Sequence, residues 1–494
     1  MAIDVTRRNF VQGSAVLGAG IALGGPISAY AAQTRQGGRR RKAVGFGPLQ
    51  PTPEADSGIE YLALPKRFRY RLINRSGDPM TRGGPTPGIF DGMAAYAGPM
   101  GATVLIRNHE NRSRPGEITV PVPAGKRYDP DPNVRGGNTK LVVGRNRRVK
   151  ESYAVLGGTH TNCAGGETPW GTWITCEEIF NYGSVEKNVT PGTGVPHGYS
   201  FEVPAGATRA VTPQPIVDAG RFSHEAVAWL DGVLYETEDR GDAALYRFLP
   251  AKRPREAGDL ATFGGTLQAL VVKGRPGFDA NLANPGETYH VEWVTIEEPN
   301  PLQDTVRKEA QSKGAAIFDR TEGAWTTSGS VFFDCTSGGE AQLGQLWQFT
   351  PRDDGGRLKL IYESTSAGVL ENPDNVVIVP ATGDVFLQED GPGVQYVRGV
   401  NQAGGIYDFA KSLLSDSEFC GGCFGGDPRT FYLNQQGGRL AAATATTPAE
   451  TPTTQPLADR GLTYLIWGPF AANNGGPRST TRSSSAKGPR SRPA

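Results

Sequence analysis

Six short apolar runs recur along the chain, and each ends in polar or acidic residues. Their β-branched and aromatic residues are typical of strands. The 67 glycines and 38 prolines, with few long helical patterns between them, favour an all-β chain with many turns. The six runs occupy residues 103–110, 171–178, 232–239, 330–336, 383–390 and 430–436.

Several of these runs are followed by a second strand-like run that closes on a proline, as at 197–204, 244–250 and 345–351. Radial repetition of small antiparallel sheets is how a β-propeller buries its strands, and it brings the ends of the inner strands to one axial channel. The pattern therefore predicts an all-β, six-bladed β-propeller with insertions, the longest at about 250–325. The irregular spacing leaves a pair of β-sandwiches open as an alternative.

The chain begins with the pattern of a twin-arginine targeting segment. Arg7 and Arg8 precede an apolar run to Ile27, and residues 29–31 form a small-residue cleavage site. No later run approaches the ~18 apolar residues of a membrane span. We therefore expect a periplasmic or extracellular product, exported by the twin-arginine translocase. The expected parts are a signal peptide (1–31), a basic flexible linker (32–48), the β-propeller domain (49–470) and a disordered basic tail (471–494).

Charge is distributed unevenly, although the formal net charge is only +1. Residues 32–42 and 471–494 contain several Lys and Arg residues but no Asp or Glu. The stretch 43–470 therefore carries an excess of acids. An acidic domain favours bound cations over nucleic acid, and the basic ends are interpreted as solvated tails. We expect no specific nucleic-acid partner.

Five cysteines cannot all be paired with one another. Cys420 and Cys423 are separated by two glycines, and in an exported protein this spacing favours a small disulfide loop. A redox or metal-binding pair is the alternative, which is disfavoured because no thioredoxin-like βαβ pattern surrounds the two residues. Cys163 is interpreted as a buried structural residue.

Familiar catalytic motifs are missing from the sequence. It has no P-loop, no Gly-x-Ser-x-Gly and no His-Glu-x-x-His, which disfavours P-loop NTPases, α/β-hydrolases and zincins. Acids occur instead near the ends of strand-like runs, at 109–110, 176–178, 224–225, 238–242, 320–322 and 389–390. Like charges gathered without a cation raise one another's pKa and destabilise the fold. Converging acids therefore predict bound ions and a metal cluster at the axial channel.

The run 171–178 ends in Cys176, Glu177 and Glu178, a thiol beside two carboxylates. Thiolates suit soft or borderline transition metals, and carboxylates suit harder ions such as calcium. A mixed metal site is one interpretation, and a buried cysteine followed by two solvated acids is the other. Arg320 is either an ion-pair partner of Glu322 or a planar donor fork for a phosphate, and a neighbouring metal cluster favours the fork.

Eight segments resemble the PhoX-type alkaline phosphatases, a bacterial family of exported phosphomonoesterases. The match runs from about Tyr70 to Phe470, and its most specific part is the segment 162–178. The resemblance implies a six-bladed propeller that binds a pair of ferric ions and several calcium ions. The matching segments are 90–95, 108–110, 162–166, 168–178, 223–225, 237–242, 318–323 and 466–469.

The resemblance also implies roles for individual residues. Cys176 is expected to be the thiolate ligand of the irons, and Arg320 is expected to clamp the phosphate. Glu225, Asp242 and Glu322 are expected to be carboxylate ligands of the metals, and Glu110, Glu177 and Glu238 are expected to bind calcium. No role follows for Glu178, Asp239, Glu389 and Asp390.

The leading hypothesis is an exported, monomeric alkaline phosphatase with Fe³⁺ and Ca²⁺ as cofactors, which hydrolyses small phosphate monoesters for phosphate scavenging. One alternative is a calcium-dependent propeller hydrolase of phosphotriesters or lactones, although an all-oxygen site suits that chemistry better than one with Cys176. The other alternative is a non-catalytic binding propeller stabilised by calcium.

Overall fold

The computed structural model describes residues 45–185, 188–327, 329–438, 455–456 and 459–472. The expected signal peptide, the expected linker up to residue 44 and the expected tail from residue 473 lie outside the described residues. Among the helices in these ranges, none is long and apolar enough to span a membrane.

Short β-strands account for most of the described chain. The first strands are β1 (Leu49–Thr52), β2 (Leu62–Pro65), β3 (Arg69–Arg75), β4 (Phe90–Ala97), β5 (Thr103–His109), β6 (Gly136–Val143), β7 (Val149–Thr159), β8 (Asn162–Glu167), β9 (Thr172–Glu177), β10 (Asn181–Tyr182), β11 (Pro196–His197), β12 (Ser200–Pro204), β13 (His224–Leu230) and β14 (Val233–Glu238).

The later strands are β15 (Tyr246–Pro250), β16 (Gly265–Val272), β17 (Thr288–Thr295), β18 (Thr321–Thr327), β19 (Ser330–Cys335), β20 (Gln345–Arg352), β21 (Gly355–Glu363), β22 (Pro373–Ile378), β23 (Val385–Glu389), β24 (Tyr396–Val400), β25 (Ile406–Ser412), β26 (Phe419–Phe424), β27 (Thr430–Gln435) and β28 (Leu462–Trp467). The helices are α1 (Asp259–Phe263) and α2 (Val306–Ser312), with 3₁₀ turns at Pro99–Gly101, Ala124–Lys126, Val217–Ala219, Ala280–Leu282 and Phe470–Ala472.

Tight turns fold consecutive strands back on each other. Between β13 and β14, Asp231 (φ 51°) and Gly232 (φ 95°) both have positive φ, as a type I′ turn requires. The resulting antiparallel meanders are β4–β7, β8–β9–β12, β13–β16, β18–β21, β22–β25 and β26–β28, and β1 and β2 extend the fifth of them. β3 pairs with β28, so a strand from the N-terminal part completes the last meander and closes the ring.

The first strands of the six meanders described lie side by side in a closed circle. Their order is β4, β8, β13, β18, β22 and β26, and β26 returns to β4. The six apolar runs that define the sequence repeat are the second strands, β5, β9, β14, β19, β23 and β27. The inner strands are therefore those that precede the repeated runs in sequence.

This propeller-like arrangement confirms the all-β prediction, but the predicted count of six separate blades is wrong. Among the described strands, only four sheets have four or more members. β17 pairs with both β16 and β21 and so merges two meanders into one nine-stranded sheet. β17 belongs to the segment predicted as an insertion, whose hydrogen bonding the sequence did not indicate.

Aromatic and aliphatic side chains fill the spaces between neighbouring meanders. Phe386 and Phe409 stack with their ring centroids 4.5 Å apart, and Phe431 and Phe470 belong to the same buried cluster. Burying one such side chain stabilises a fold by about 1.5–3 kcal/mol. This packing holds the inner strands in fixed positions around the axis.

Candidate metal centre

A β-bulge interrupts each of the six inner strands described, close to its first residues. In β4 the pairing register shifts between Phe90 and Met93, and the other inner strands shift at the matching place. A bulge re-aims the side chain that it carries. In five of these bulges that side chain is an acid or a thiol: Asp91, Cys163, Glu225, Glu322 or Asp374.

Small residues follow most of these ligand positions and let the inner strands touch. A Cβ added at Gly92, next to Asp91, would lie 2.6 Å from the Cα of Ala164 on β8. A Cβ added at Gly323 would lie 2.5 Å from the amide nitrogen of Val376 on β22. Adjacent inner strands are therefore in backbone contact, which places acids from different meanders side by side.

Three groups of side chains could each hold a cation within the described ranges. In every group the ligand atoms lie within 4.8 Å of one another. Glu225 belongs to two of the groups, so these two sites are adjacent. The groups are Cys163–Glu178–Glu225, Glu225–Glu322–Asp374 and Asp91–Glu418–Cys420.

Burial makes the ionised forms of these groups costly. It raises the pKa of Asp374 to about 7, and together with the Asp374 carboxylate it raises the pKa of Glu225 well above its ordinary value. Burial and the neighbouring Glu225 likewise raise the pKa of the Cys163 thiol. A bound cation reverses such shifts, because it stabilises the charged form of each ligand. The centre therefore has the electrostatics of a cation site.

Arg320 lies between two of the acids. Its Nε donates to Asp239 Oδ1 over 2.7 Å, and its Nη2 donates to Glu322 Oε1 over 2.6 Å. Burial raises the pKa of Asp239, but the Arg320 guanidinium outweighs that effect and the net shift is downward. The φ of Arg320 is 56°, a value that non-glycine residues keep only where their surroundings enforce it. The Arg320 side chain is 32% exposed, so it lies at the edge of the buried acids.

Arg112 is a second arginine that contacts these acids. It pairs with Glu110, and its Nη2 lies 3.4 Å from Glu178 Oε2. Glu178 shares a hydrogen bond with Asp239, the ion-pair partner of Arg320. Burial raises the pKa of Glu178 well above its ordinary value, whereas the Arg320 guanidinium lowers the pKa of Asp239. Two partly exposed guanidinium groups therefore flank one carboxyl pair.

Polar side chains on the second strands fix the bulges of the next meander. Asn108 on β5 donates to the carbonyl oxygen of Ala164 over 2.8 Å. Thr237 on β14 donates to the carbonyl oxygen of Glu322 over 2.5 Å. Both donors are fully buried, so these bonds do not exchange with water. The bulges that carry Cys163 and Glu322 are therefore positioned by the neighbouring meander as well as by their own.

Cys176, the predicted thiolate ligand, lies outside the three groups. On β9 it is paired with Ser200, and its Sγ is 3.5 Å from Ser200 Oγ in an apolar cluster that also contains Phe222. The thiol that lies with the acids belongs to Cys163 on the inner strand β8, next to Glu225. The sequence pattern predicts the thiolate at the end of β9, a second strand. The side chains near the axis come from the inner strands, and for this meander that strand is β8.

Glu177, a predicted calcium ligand, is occupied by hydrogen bonds. Its carboxylate accepts from the amides of His160, Gly198 and Tyr199 and, over 2.7 Å, from His197 Nδ1. Burial raises the pKa of Glu177, but His197 and the amide donors together lower it by more than burial raises it. The net shift is downward, and the carboxylate stays ionised. Four donors around one carboxylate give it a structural role, and its role as a calcium ligand stays a prediction.

Glu238 and Asp242 face helix α2 and not the ring of acids. Tyr246 donates to Glu238 Oε2 over 2.8 Å, and Arg307 Nη1 lies 3.6 Å from Glu238 Oε1. Asp242 is 38% exposed and pairs with Arg307 and Lys308. Their predicted roles as ligands are therefore not supported by their positions, because Glu238 ends the second strand β14, Asp242 follows it, and both contact residues of helix α2.

The structure brings Glu110, Glu225, Glu322 and Arg320 of the predicted site residues together. Glu178 and Asp239, to which the sequence assigned no role, join them. Sequence reasoning missed Arg112, Asp374, Asp91, Glu418 and the thiols of Cys163 and Cys420. One signal could have found several of them, an acid or thiol followed by Gly or Ala, which recurs at 91–92, 163–164, 225–226 and 322–323.

All five cysteines are buried, and none forms a disulfide, so the loop predicted between Cys420 and Cys423 is wrong. The bulge in β26 separates the environments of these two residues. Cys423 packs in an apolar cluster with Met93 and Tyr432, while Cys420 lies with Asp91.

Comparison with known proteins agrees with the ring of inner strands. The family model described as alkaline phosphatase PhoX matches residues 44–438. PhoX of Pseudomonas fluorescens, solved in complex with vanadate, a transition state analogue, superimposes with a TM-score of 0.62 at 17% identity, over 88% of this chain and 99% of that one. This likeness shows the fold.

Two further solved structures are less similar. A protein of unknown function from Dyadobacter fermentans gives a TM-score of 0.40 at 10% identity over 83% of this chain and 100% of that one. A putative 6-phosphogluconolactonase from Bacteroides uniformis gives 0.30 at 12% identity over 64% and 83%. No curated protein matches the sequence significantly. The family match covers most of the chain, which belongs to the alkaline phosphatase PhoX family and is a phosphoesterase.

Proposed function

We propose that the protein is an exported alkaline phosphatase that hydrolyses phosphate monoesters at a centre of iron and calcium ions and serves phosphate scavenging. The observation that carries the proposal is the convergence of a thiol and several buried acids from separate inner strands between two partly exposed guanidinium groups. The twin-arginine pattern of the sequence supports export, and the family supports a metal-dependent phosphoesterase.

The donor atoms suit these two metals. Cys163, Glu178 and Glu225 combine one sulfur with carboxylate oxygens, a set that favours iron or another borderline metal. Glu225, Glu322 and Asp374 offer oxygen alone, which is the preference of calcium. All of these ligands except the partly exposed Glu178 are buried, and the raised pKa values of Glu225, Glu322 and Asp374 fit ligands that require a counter-ion. We therefore assign the thiolate role to Cys163 in place of Cys176.

When bound, the metals supply an activated water and offset the negative charge of the phosphoryl oxygens. The chain's own cations position the substrate. The hydrogen bonds described for Arg320 use Nε and Nη2, and those for Arg112 use Nη2, so the remaining exposed donors of each fork can bind phosphoryl oxygens. Glu178, which contacts Arg112, and Asp239, which pairs with Arg320, lie between the two forks.

The vanadate complex of Pseudomonas fluorescens PhoX supports phosphoryl transfer as the reaction, since vanadate is a transition state analogue in that complex. A thiol inside the acidic ring disfavours the calcium-dependent hydrolase of phosphotriesters or lactones, because calcium sites use oxygen ligands.

The test compares Cys163→Ser with Cys176→Ser, two buried thiols on paired strands of one meander. Exported protein is purified, its iron and calcium are measured, and hydrolysis of a chromogenic phosphate monoester is followed at alkaline pH. We expect Cys163→Ser to lose its iron and to show a kcat at least 100-fold lower, because the substitution removes a ligand at the reacting centre. Cys176→Ser should keep the iron content and the kcat of the wild type. Iron-loaded wild-type protein without turnover would refute the proposal, and so would a Cys163→Ser variant with full activity.

A further inference from the structure

We propose that Asp91, Glu418 and Cys420 form a metal site of their own, selective for a thiophilic transition-metal ion such as Zn²⁺ or Fe²⁺ over Ca²⁺. The site lies between β4 and β26 and shares no residue with the two groups that meet at Glu225. Its existence does not depend on phosphatase activity, because the claim concerns which ion these side chains bind.

Backbone contact between the two inner strands assembles the site. Glu418 and Cys420 are two residues apart at the start of β26, and alternation along an extended segment places their side chains on one face. A Cβ added at Gly421 would lie 2.4 Å from the carbonyl oxygen of Asp91, so β26 crosses the β4 bulge in direct contact. The Cys420 thiol donates to the carbonyl oxygen of Phe90 over 3.1 Å, which holds the sulfur beside Asp91.

An unpaired oxygen marks the place for a ligand. Asp91 is 3% exposed, and its Oδ1 has no hydrogen-bond partner in the described structure. A buried carboxylate oxygen without a partner carries a desolvation cost unless a ligand offsets it. Gln436 does not satisfy Oδ1, because its Nε2 lies 3.5 Å from the other oxygen, Oδ2, and donates mainly to Glu418 Oε1 and Glu110 Oε2 over 2.7 and 2.6 Å.

The distances suit a single ion. The three ligand atoms lie within 4.8 Å of one another, and two ligands at about 2.0–2.3 Å from a tetrahedral zinc ion are roughly 3.3–3.8 Å apart. Closure by up to about 1 Å therefore brings the three atoms to one ion.

The sulfur decides the choice of metal. Calcium takes six to eight oxygen ligands, whereas zinc and iron accept a thiolate together with carboxylates. Cys420 therefore makes this group a transition-metal site, in contrast to the all-oxygen group formed by Glu225, Glu322 and Asp374.

Cobalt is a suitable probe, because Co²⁺ takes zinc-like sites and gives a thiolate-to-metal charge-transfer band. Full-length exported protein is stripped, loaded with Co²⁺ and compared with Cys420→Ser, with Cys163→Ser and with Cys423→Ser, whose thiol lies three residues along β26 in an apolar cluster. We expect Cys420→Ser to bind one Co²⁺ ion fewer per chain than the wild type. It should also lose the part of the charge-transfer band that comes from the Cys420 thiolate, which is the part that Cys163→Ser retains. Cys423→Ser should match the wild type.

Glu418→Gln is the second variant in case Cys420→Ser does not fold, and it should lose the same Co²⁺ ion and keep the Cys163 part of the band. Unchanged cobalt content and band intensity in folded Cys420→Ser, or in Glu418→Gln, would overturn the proposal. Failure of the phosphatase proposal gives a different result, namely wild-type protein that binds cobalt at Cys420 but hydrolyses no phosphate ester.

Discussion

Replacing Gly323 by Ala tests whether backbone contact between inner strands sets the geometry of the centre. Gly323 follows Glu322 in the β18 bulge, and its added Cβ would lie 2.5 Å from Val376 N, 2.7 Å from Asn375 Cα and 2.7 Å from Asp374 O. These three atoms belong to the backbone of β22 and cannot move aside as a flexible side chain could. The two strands must therefore separate by roughly 1 Å to reach ordinary contact, which costs about 1–3 kcal/mol.

The expected effect on catalysis is much larger than the effect on stability. A loss of about 2 kcal/mol lowers the Tm of a unit of roughly 400 residues by only about 2 °C. A misplacement of about 1 Å between Glu322 and Asp374 is enough to lower the rate about 100-fold. We therefore expect Gly323→Ala to stay folded at the assay temperature while its kcat for a phosphate monoester falls by about two orders of magnitude.

Gly206→Ala is the matched control, because an added Cβ at Gly206 meets no atom within 4 Å and its φ is not in the positive range. Tm is measured by differential scanning calorimetry and kcat by release of a chromogenic leaving group. Activity of Gly323→Ala within threefold of the wild type would refute the contact argument. A loss of activity that merely follows the unfolded fraction at each temperature would refute it equally.

Two further predictions concern buried polar networks. Asn108→Leu removes buried hydrogen bonds to Ala164 O, Trp173 Nε1 and Thr175 Oγ1 and should cost about 3–4 kcal/mol in urea unfolding; a loss below about 1 kcal/mol would show that these bonds do not hold β5 to the next meander. His197 is fully buried, and although burial alone lowers its pKa, Glu177 and Asp129 raise it to about 9 from 6.5. The protonated His197 therefore contributes about 3 kcal/mol to the free energy of unfolding, which is complete below pH 6.5 and is lost as the pH rises through 9. The free energy of unfolding of His197→Gln, measured against pH, should lack this loss. A pH profile identical to that of the wild type would contradict the assignment.

The candidate centre was predictable in its chemistry and much less so in its residues. Acids at strand ends predicted cations, and the resemblance of short segments predicted the family, because both depend on residue types that the sequence displays directly. Cys176 was preferred to Cys163 because the tip 176–178 is conspicuous in the sequence. Which of two paired strands faces the axis is set by the order of strands around the ring, and neither local pattern nor spacing contains that information.

Bulges account for the rest of the errors. Strict alternation of side chains predicts one face for each residue of a strand, but the register shift near the start of each inner strand turns Asp91 and Asp374 toward the axis. Glu177 and Glu178 are adjacent in sequence, yet their environments differ. Glu177 accepts four hydrogen bonds, whereas Glu178 lies in the same group as Cys163. The count of blades was wrong for a similar reason, because the pairing of β17 with β21 is a long-range contact.

The sequence by itself determined that the chain would be an all-β fold of repeated hairpins, rich in acids, and a member of the PhoX family. Alternating apolar residues and turn residues specify such hairpins locally, and the family segments are read residue by residue. Only the tertiary structure decided which acids and which thiols meet. That choice rests on closure of the ring and on contacts between strands more than 50 residues apart, such as the approach of Gly421 to Asp91, where backbone contact converts distant sequence positions into neighbouring ligands.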